Sequence, residues 1–148
     1  MDSIFLAYLG KAIVLAVSGI GSIYGVSITA NAAIGAMKKN PDPFGYYIVF
    51  MTPPATNGLY GFLGYYIFAD FLMPEITWFQ AVAIFTSCLS LGLLNFFSSI
   101  RQGQVCANAM AAIASGNEIF GKSLMVIVFI ELYAIVGLAA LFLVAGVL

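Results

Sequence analysis

The stretch "FIELYAIVGL", residues 129–138, decides the fold. It lies inside an apolar run from Leu124 to Leu148 in which Glu131 is the only charged residue. A run of about 20 apolar residues is long enough to cross a bilayer as a helix. A charged acid at the centre of such a helix costs at least ~2.5–3.5 kcal/mol to insert. Glu131 must therefore be neutralised by a proton, an ion or a partner. Acids inside membrane helices are usually functional, so we predict that Glu131 belongs to a functional site.

The composition of the whole chain agrees with a protein that lies in a membrane. Of the 148 residues, 63% are hydrophobic and 7% are charged. A soluble domain has roughly 45–50% apolar and about 25% charged residues. A water-soluble fold cannot hide this much apolar surface, so we predict an integral membrane protein with one membrane domain, residues 1–148. The net charge of −1 indicates no particular partner, and we expect no nucleic acid.

Turn signals divide the chain into four long apolar segments. They run from Ile4 to Met37, from Phe44 to about Phe68, from just after Pro74 to about Ser115, and from Ile119 to the C-terminus. Each exceeds the length that a spanning helix needs, so we predict an all-α membrane fold with four transmembrane helices. The first and third segments are longer than a bilayer requires. We expect them to protrude on the side of loops 38–43 and 116–118.

The two halves of the chain resemble each other, as expected for an internal repeat. "ANAAIGA" at 30–36 is similar to "ANAMAAIA" at 107–114. Each half is predicted to be one helical hairpin, residues 1–72 and 73–148, and the two hairpins run parallel. In this register Ala55 occupies in the first half the place that Glu131 occupies in the second. Only one hairpin therefore carries an acid at this level.

The basic residues predict the orientation in the membrane. Two lysines lie in loop 38–43 and Lys122 lies beside loop 116–118, whereas the middle loop carries only Asp70 and Glu75. Loops that are rich in lysine face the cytoplasm. We therefore expect these two loops to be cytoplasmic and both chain termini to lie outside.

Three polar side chains on three predicted helices lie at one depth. Counted from the cytoplasmic loops, Thr56, Gln102 and Glu131 each lie roughly 17–20 Å along their helices. The threonine hydroxyl, the glutamine carbonyl and the carboxylate could together form an oxygen cage for a small cation. Tyr60, one turn beyond Thr56, could hold the carboxylate by a hydrogen bond. A more ordinary interpretation is that Thr56 and Gln102 are only polar contacts between helices.

Two prolines interrupt the second segment beside this level. Pro53 and Pro54 lack an N–H group and release the carbonyls four residues earlier, those of Val49 and Phe50. Broken helices at membrane depth are tolerated where they line a site. We therefore expect the turn around Ala55 to be loosened.

Residue size differs between the segments. The first segment contains "SGIGSIYGVSITANAAIGA", and the third contains a run of alanines at 107–114. Small side chains let helix backbones approach closely. The second and fourth segments carry bulky side chains such as Tyr65, Tyr66 and Phe129. This pattern predicts an inner layer from the first and third helices and an outer layer from the second and fourth, in a ring or in a four-helix bundle.

Two other patterns are not interpreted as sites. Residues 116–123, "GNEIFGKS", match a phosphate-binding pattern whose mechanism needs a preceding strand, but here a membrane helix precedes it. Cys88 and Cys106 fall on one predicted helix, roughly 27 Å apart along its axis, so they cannot pair with each other. The chain has no histidine, which removes the commonest zinc ligand.

Taken together, these features resemble the proteolipid (K) subunit of V-type (V/A-type) rotary ATPases. The resemblance covers essentially the whole chain and is carried by "PPATNGLYGF", "SSIRQGQV" and "IELYAIVG" in the second, third and fourth segments. It implies a non-catalytic rotor subunit that forms a ring with copies of itself in a bacterial plasma membrane. It also implies a stator subunit with a basic residue, central-stalk subunits at loops 38–43 and 116–118, and surrounding lipid.

The resemblance also implies a set of ion ligands. Members that carry sodium place theirs at the positions of Thr56, Asn57, Gln102, Glu131, Tyr60 and the backbone carbonyl of Pro53. Two positions depart from the family pattern: Asn57 replaces a longer glutamine, and Arg101 stands beside Gln102 where a small residue is common. The implied cargo is Na⁺ or H⁺, with no organic cofactor. A proton needs only the carboxyl group, so the number of oxygen ligands favours sodium.

Two alternatives from other classes remain. The first is a small multidrug or cation antiporter, which also has four helices and a buried acid. The internal repeat, the lack of an acid within the first helix and the overlong helices argue against it. The second is a structural protein with four spans and no transport. The polar side chains at one depth argue against that.

Overall fold

The computed structural model describes residues 2–148, which form five α-helices. These are α1 (Ser3–Lys39), α2 (Phe44–Val49), α3 (Thr52–Ile67), α4 (Trp78–Ala114) and α5 (Phe120–Ala145). Within this part of the chain no strand occurs. The prediction of an all-α fold is confirmed.

Three of the helices are long and apolar enough to cross a membrane. Helices α1 and α4 have 37 residues each and α5 has 26. A helix of 37 residues is about 55 Å long, well beyond the ~30 Å hydrocarbon core. The second predicted segment differs, because it is divided into α2 and α3, and neither reaches the length of a span alone. Four spanning helices are therefore not confirmed.

The division lies just before the two prolines. Helix α2 ends at Val49 and α3 begins at Thr52, with Pro53 and Pro54 in the first turn of α3. Proline is tolerated there because the first N–H groups of a helix have no partner inside it. The hydroxyl of Thr52 donates to the carbonyl of Val49 at 2.8 Å, which satisfies one of the released carbonyls. The two residues between the helices keep right-handed backbone angles, so the chain continues as a distorted helix.

Helices α1 and α4 form the most extensive contact between two helices in residues 2–148, and their backbones approach closely. A Cβ atom on Gly103 would lie 2.6 Å from the carbonyl oxygen of Gly25, and one on Gly10 would lie 2.7 Å from Cα of Phe85. Only glycine permits such an approach of two backbones. Helix α3 packs on both α1 and α4, and α5 packs mainly on α4. The helices rich in small residues thus pack most extensively on each other, while a ring layout involves several copies and stays a prediction.

The core consists of two apolar clusters with polar side chains between them. One cluster includes Val14, Leu91 and Leu141, and the other includes Met110 and Ile127. Five of the buried polar side chains are here named the polar layer: Ser18, Asn57, Asn95, Ser99 and Gln102. Buried polar groups need hydrogen-bond partners, so this layer restricts how the helices can pack.

Side-chain contacts at both ends connect the two halves of the chain. At one end the hydroxyl of Ser3, at the start of α1, donates to the carbonyl of Ile76 at 2.8 Å. At the other end the ammonium group of Lys39 donates to the hydroxyl of Ser115 at 2.7 Å. These contacts hold the parallel hairpins side by side.

The two patterns that were not interpreted as sites have structural roles. Residues 116–119 lie in the loop between α4 and α5, and residues 120–123 form the first turn of α5. Gly116 follows the end of α4 with a φ of 90°, a conformation that favours glycine. In the described residues a helix and not a strand precedes this loop, so the strand–loop–helix structure of a phosphate-binding loop is not present there. Cys88 and Cys106 both lie on α4, are buried and are unpaired, as predicted.

Candidate ion site between three helices

The carboxylate of Glu131, on α5, lies within hydrogen-bonding reach of side chains from two other helices. The Tyr60 hydroxyl donates to Oε1 at 2.6 Å, and Thr56 Oγ1 lies 2.8 Å from the same oxygen. Gln102 Nε2 on α4 donates to Oε2. The structure therefore brings together the side chains that the depth count placed at one level.

The hydroxyl of Thr56 lies between two acceptors. It is 2.7 Å from the carbonyl oxygen of Pro53 and 2.8 Å from Oε1 of Glu131. A hydroxyl carries one proton and can donate to only one of them. A proton on Glu131 resolves this, because the carboxyl group then donates to Thr56 and Thr56 donates to Pro53. A small cation beside the carboxylate would neutralise the acid in another way.

Asn57 lies behind Gln102 and does not contact the carboxylate. Its Nδ2 atom donates to Gln102 Oε1 at 2.7 Å, and both side chains are 0% exposed. The resemblance implied that Asn57 is a direct ligand of the ion, whereas in the structure Asn57 contacts Gln102 and not the carboxylate. The shorter asparagine side chain accounts for this, because it reaches Gln102 only. Its Oδ1 atom is buried without a hydrogen-bond partner in the described residues.

Two serines hold the start of α3 in place. Ser99 on α4 and Ser22 on α1 both donate to the carbonyl of Pro54, at 2.8 and 3.0 Å. These bonds fix the backbone two residues before Thr56. Neither serine was predicted from the sequence. Ser22 belongs to a stretch of small residues that was interpreted as packing, and Ser99 was noted only as part of the motif "SSIRQGQV". Their only sequence signal is that they lie near the depth of the proline pair.

Two basic side chains in the helices, those of Arg101 and Lys11, make contacts elsewhere and not with Glu131. Arg101 is exposed, and its guanidinium donates to Gln104 Oε1 at 3.1 Å. Adjacent positions on a helix diverge by about 100°. Arg101 therefore points away from Glu131, although the next residue, Gln102, faces it. Lys11 on α1 is buried, with its ammonium 4.4 Å from the ring centre of Tyr65 on α3. The acid therefore needs a mobile cation or proton.

Glu131 lies where α5 meets the outer surface of the chain. The side chain is partly buried, and its neighbours Phe129, Leu132 and Tyr133 are exposed large hydrophobic residues. Such a surface faces lipid or another protein chain, where a free charge is costly. In residues 2–148 no group of three or more His, Cys, Asp or Glu side chains could hold a metal ion. Glu131 supplies the carboxylate of this site, and its hydrogen-bond partners are Thr56, Tyr60 and Gln102.

The model of a family described as the C subunit of ATP synthase matches the chain twice. The matches cover residues 9–68 and 85–144. Each half of the chain is therefore similar to the same family model, and Glu131 lies in the second match. The two matches to one family model agree with the internal repeat that was inferred from the sequence.

Two curated relatives match most of the chain. A-type ATP synthase subunit K of Methanocaldococcus jannaschii is 34% identical over 148 aligned residues, 99% of this chain and 65% of the relative. V-type sodium ATPase subunit K of Enterococcus hirae is 31% identical over 137 residues, 93% of this chain and 88% of the relative. The chain thus spans just under two thirds of the first relative and most of the second.

Proposed function

The chain belongs to the family of the ATP synthase C subunit, and from this premise we propose that it is the ion-carrying rotor subunit of a V/A-type rotary ATPase. It is a non-catalytic transport subunit, since ATP is hydrolysed or made by other subunits. The observation that carries the proposal is the intramembrane acid Glu131, which Thr56, Tyr60 and Gln102 surround from two neighbouring helices. An acid within a membrane helix usually marks an ion pathway.

The proposed mechanism follows from the charge of Glu131. With an ion bound, the site has no net charge and can move past lipid during rotation. With the ion released, the carboxylate faces the insertion cost of at least ~2.5–3.5 kcal/mol and cannot enter lipid readily. A basic residue on a stator subunit would pair with the carboxylate and release the ion on one side. A new ion then loads from the other side.

Copies of the chain are proposed to form the rotor ring. In this ring α1 and α4 form the inner layer and α3 and α5 the outer layer. Helices α2 and α3 together act as one span, because Phe44 to Ile67 extends roughly 36 Å at 1.5 Å per residue. The support is the apolar outer surface of these helices, which includes Leu59, Phe62, Tyr66, Val136 and Leu143, each more than half exposed.

The orientation and partners follow from the loops. We place both termini outside a bacterial plasma membrane, with loops 38–43 and 116–118 in the cytoplasm, because the lysines concentrate there. Central-stalk subunits would bind these two loops, which the hydrogen bond from Lys39 to Ser115 holds close together. The outer layer would contact lipid and the stator.

The proposed cargo is Na⁺ or H⁺, without an organic cofactor. The relative from Enterococcus hirae is named a sodium ATPase subunit, which supports sodium. The hydroxyl of Thr56 lies between two acceptors, and a proton on Glu131 would give each of them a donor. This arrangement supports H⁺ as the cargo. An antiporter is not favoured, because the family model and both relatives are rotary-ATPase subunits.

The experiment that tests this proposal is carbodiimide labelling of Glu131 in the isolated membrane complex. Carbodiimides modify protonated carboxyl groups, so a bound cation or high pH should protect the site. We expect labelling to be lost in Glu131→Gln and retained in Glu75→Gln, which changes an exposed loop acid. Thr56→Val and Tyr60→Phe should each change the ion dependence by about fivefold, the equivalent of one hydrogen bond. No labelling of Glu131 at any pH would reject the proposal.

A further inference from the structure

Asn57 and Gln102 form a buried pair of amides beside the acid. Asn57 Nδ2 donates to Gln102 Oε1 at 2.7 Å, while Gln102 Nε2 donates to Glu131 Oε2. Both amides are completely buried. Asn57 therefore occupies the oxygen of Gln102 and leaves only its NH₂ group facing the acid.

The orientation of Gln102 determines which ion the site accepts. A side-chain amide has an acceptor oxygen and a donor NH₂ group. Hard cations are held by oxygen atoms, and an N–H group directed at a cation opposes binding. In the observed orientation Gln102 donates to the carboxyl group, so its oxygen is not available to sodium.

On this basis, and resting on the proposed function, we propose that Asn57 is a positioning residue that sets the ion specificity of the site. By holding Gln102 as a donor to Glu131, Asn57 makes this site hold a proton in preference to sodium. It acts through Gln102 and touches neither the ion nor the carboxylate. This role differs from the direct ligand that the resemblance implied.

The other hydrogen bonds agree with a proton. A carboxyl proton on Oε1 can be donated to Thr56, which then donates to Pro53, while Tyr60 donates to Oε1. With Gln102 on Oε2, each donor faces an acceptor. Sodium would require Gln102 to turn its oxygen toward the ion, and its NH₂ group would then face the NH₂ group of Asn57. Both amides must reverse before sodium gains this ligand.

The chain offers a matched pair of substitutions for the test. Asn57→Leu has a similar volume and removes the donor, so Gln102 Oε1 becomes free to turn toward a cation. Asn95→Leu is the control, because Asn95 is also completely buried, also has an unpartnered Oδ1 and belongs to the same polar layer. Asn95 donates instead to Ser18 at 3.0 Å, away from the acid.

The measurement is the sodium concentration that half-protects Glu131 from carbodiimide in the complete complex at fixed pH. We expect protection of the wild type to follow pH with little effect of sodium. Asn57→Leu should be protected at about five- to tenfold lower sodium than the wild type, because the hydrogen bond that fixes Gln102 is gone. Asn95→Leu should keep the wild-type sodium dependence.

A second measurement does not depend on labelling or on a stable variant. The infrared band of a protonated carboxyl group, assigned by its loss in Glu131→Gln, should persist when sodium is added to the wild-type complex. Loss of this band in the wild type on adding sodium would overturn the proposal. So would an unchanged sodium dependence in Asn57→Leu, or weaker protection by sodium in that variant. If Glu131 neither labels nor shows the band, the proposed function itself fails.

Discussion

The two halves of the chain have the same design but different roles at the level of the acid. The second half carries Glu131, whereas the first has Ala55 in the corresponding place. The first half nevertheless supplies the hydroxyl groups of Thr56 and Tyr60 that hold the carboxylate. The two hairpins therefore contribute different parts of a single site. One hairpin holds the acid and the other supplies its partners.

The largest effect should come from removing the acid of the second half. We expect Glu131→Gln to abolish ATP-driven ion uptake by vesicles that contain the complete complex, because no other acid lies at this level of the chain. Glu75→Gln makes the same change at an exposed position and should leave uptake intact. Substantial uptake by Glu131→Gln would show that transport does not depend on the acid of the second half.

Adding an acid at position 55 tests whether the first half can hold a carboxylate as the second half does. Ala55→Glu should lower the yield and the thermal stability of the ring, since an unpaired acid costs at least ~2.5–3.5 kcal/mol in a membrane helix. Partners equivalent to those of Glu131 are missing there, because Gly25 stands where the second half has Gln102. Ala55→Gln is the uncharged control. A stable ring in which both acids are labelled would make the hairpins equivalent.

A smaller effect is expected where the halves meet. Gly103→Ala would place a Cβ atom 2.6 Å from the carbonyl of Gly25, and relief of such overpacking typically costs about 1–3 kcal/mol. Gly19→Ala is the matched control, since a Cβ there meets nothing within 4 Å, and alanine in a helix is favoured by roughly 0.5–1 kcal/mol. Thermal unfolding in detergent measures both. Equal midpoints would argue against backbone contact between α1 and α4.

The smallest effect is expected at the exposed end of the same pair of helices. Lys39→Ala removes the hydrogen bond to Ser115, which joins the halves at the surface. Exposed contacts of this kind rarely exceed about 0.5 kcal/mol, so the unfolding midpoint should change by no more than a degree or two. Ser115→Ala should have the same small effect. A large loss in either variant would mean that this end, and not the glycine contact, holds the halves together.

The depth of the site could be predicted from the sequence, but its contacts could not. A helix rises 1.5 Å per residue, so counting residues placed Thr56, Gln102 and Glu131 at one level. The count does not give the rotation of each helix about its axis, which decides whether Asn57 reaches the acid or Gln102. The partners of the Pro54 carbonyl stayed hidden for the same reason.

The helix break illustrates a second limit. The prolines predicted a loosened turn around Ala55, whereas the division lies just before them, between Val49 and Thr52. Proline disturbs the residues that precede it and fits well into the first turn of a new helix. The sequence therefore shows that a break exists, and the local hydrogen bonds decide where it lies.

The polar layer has a consequence for how the chain folds. Lipid tails are as apolar as leucine side chains, so the two apolar clusters alone distinguish poorly between α1 and α4 aligned correctly and shifted by one turn. A shift of about 5.4 Å would separate Ser18 from Asn95 and leave a buried amide without its partner. The hydrogen bond between Asn95 and Ser18 thus favours one register as α1 and α4 associate.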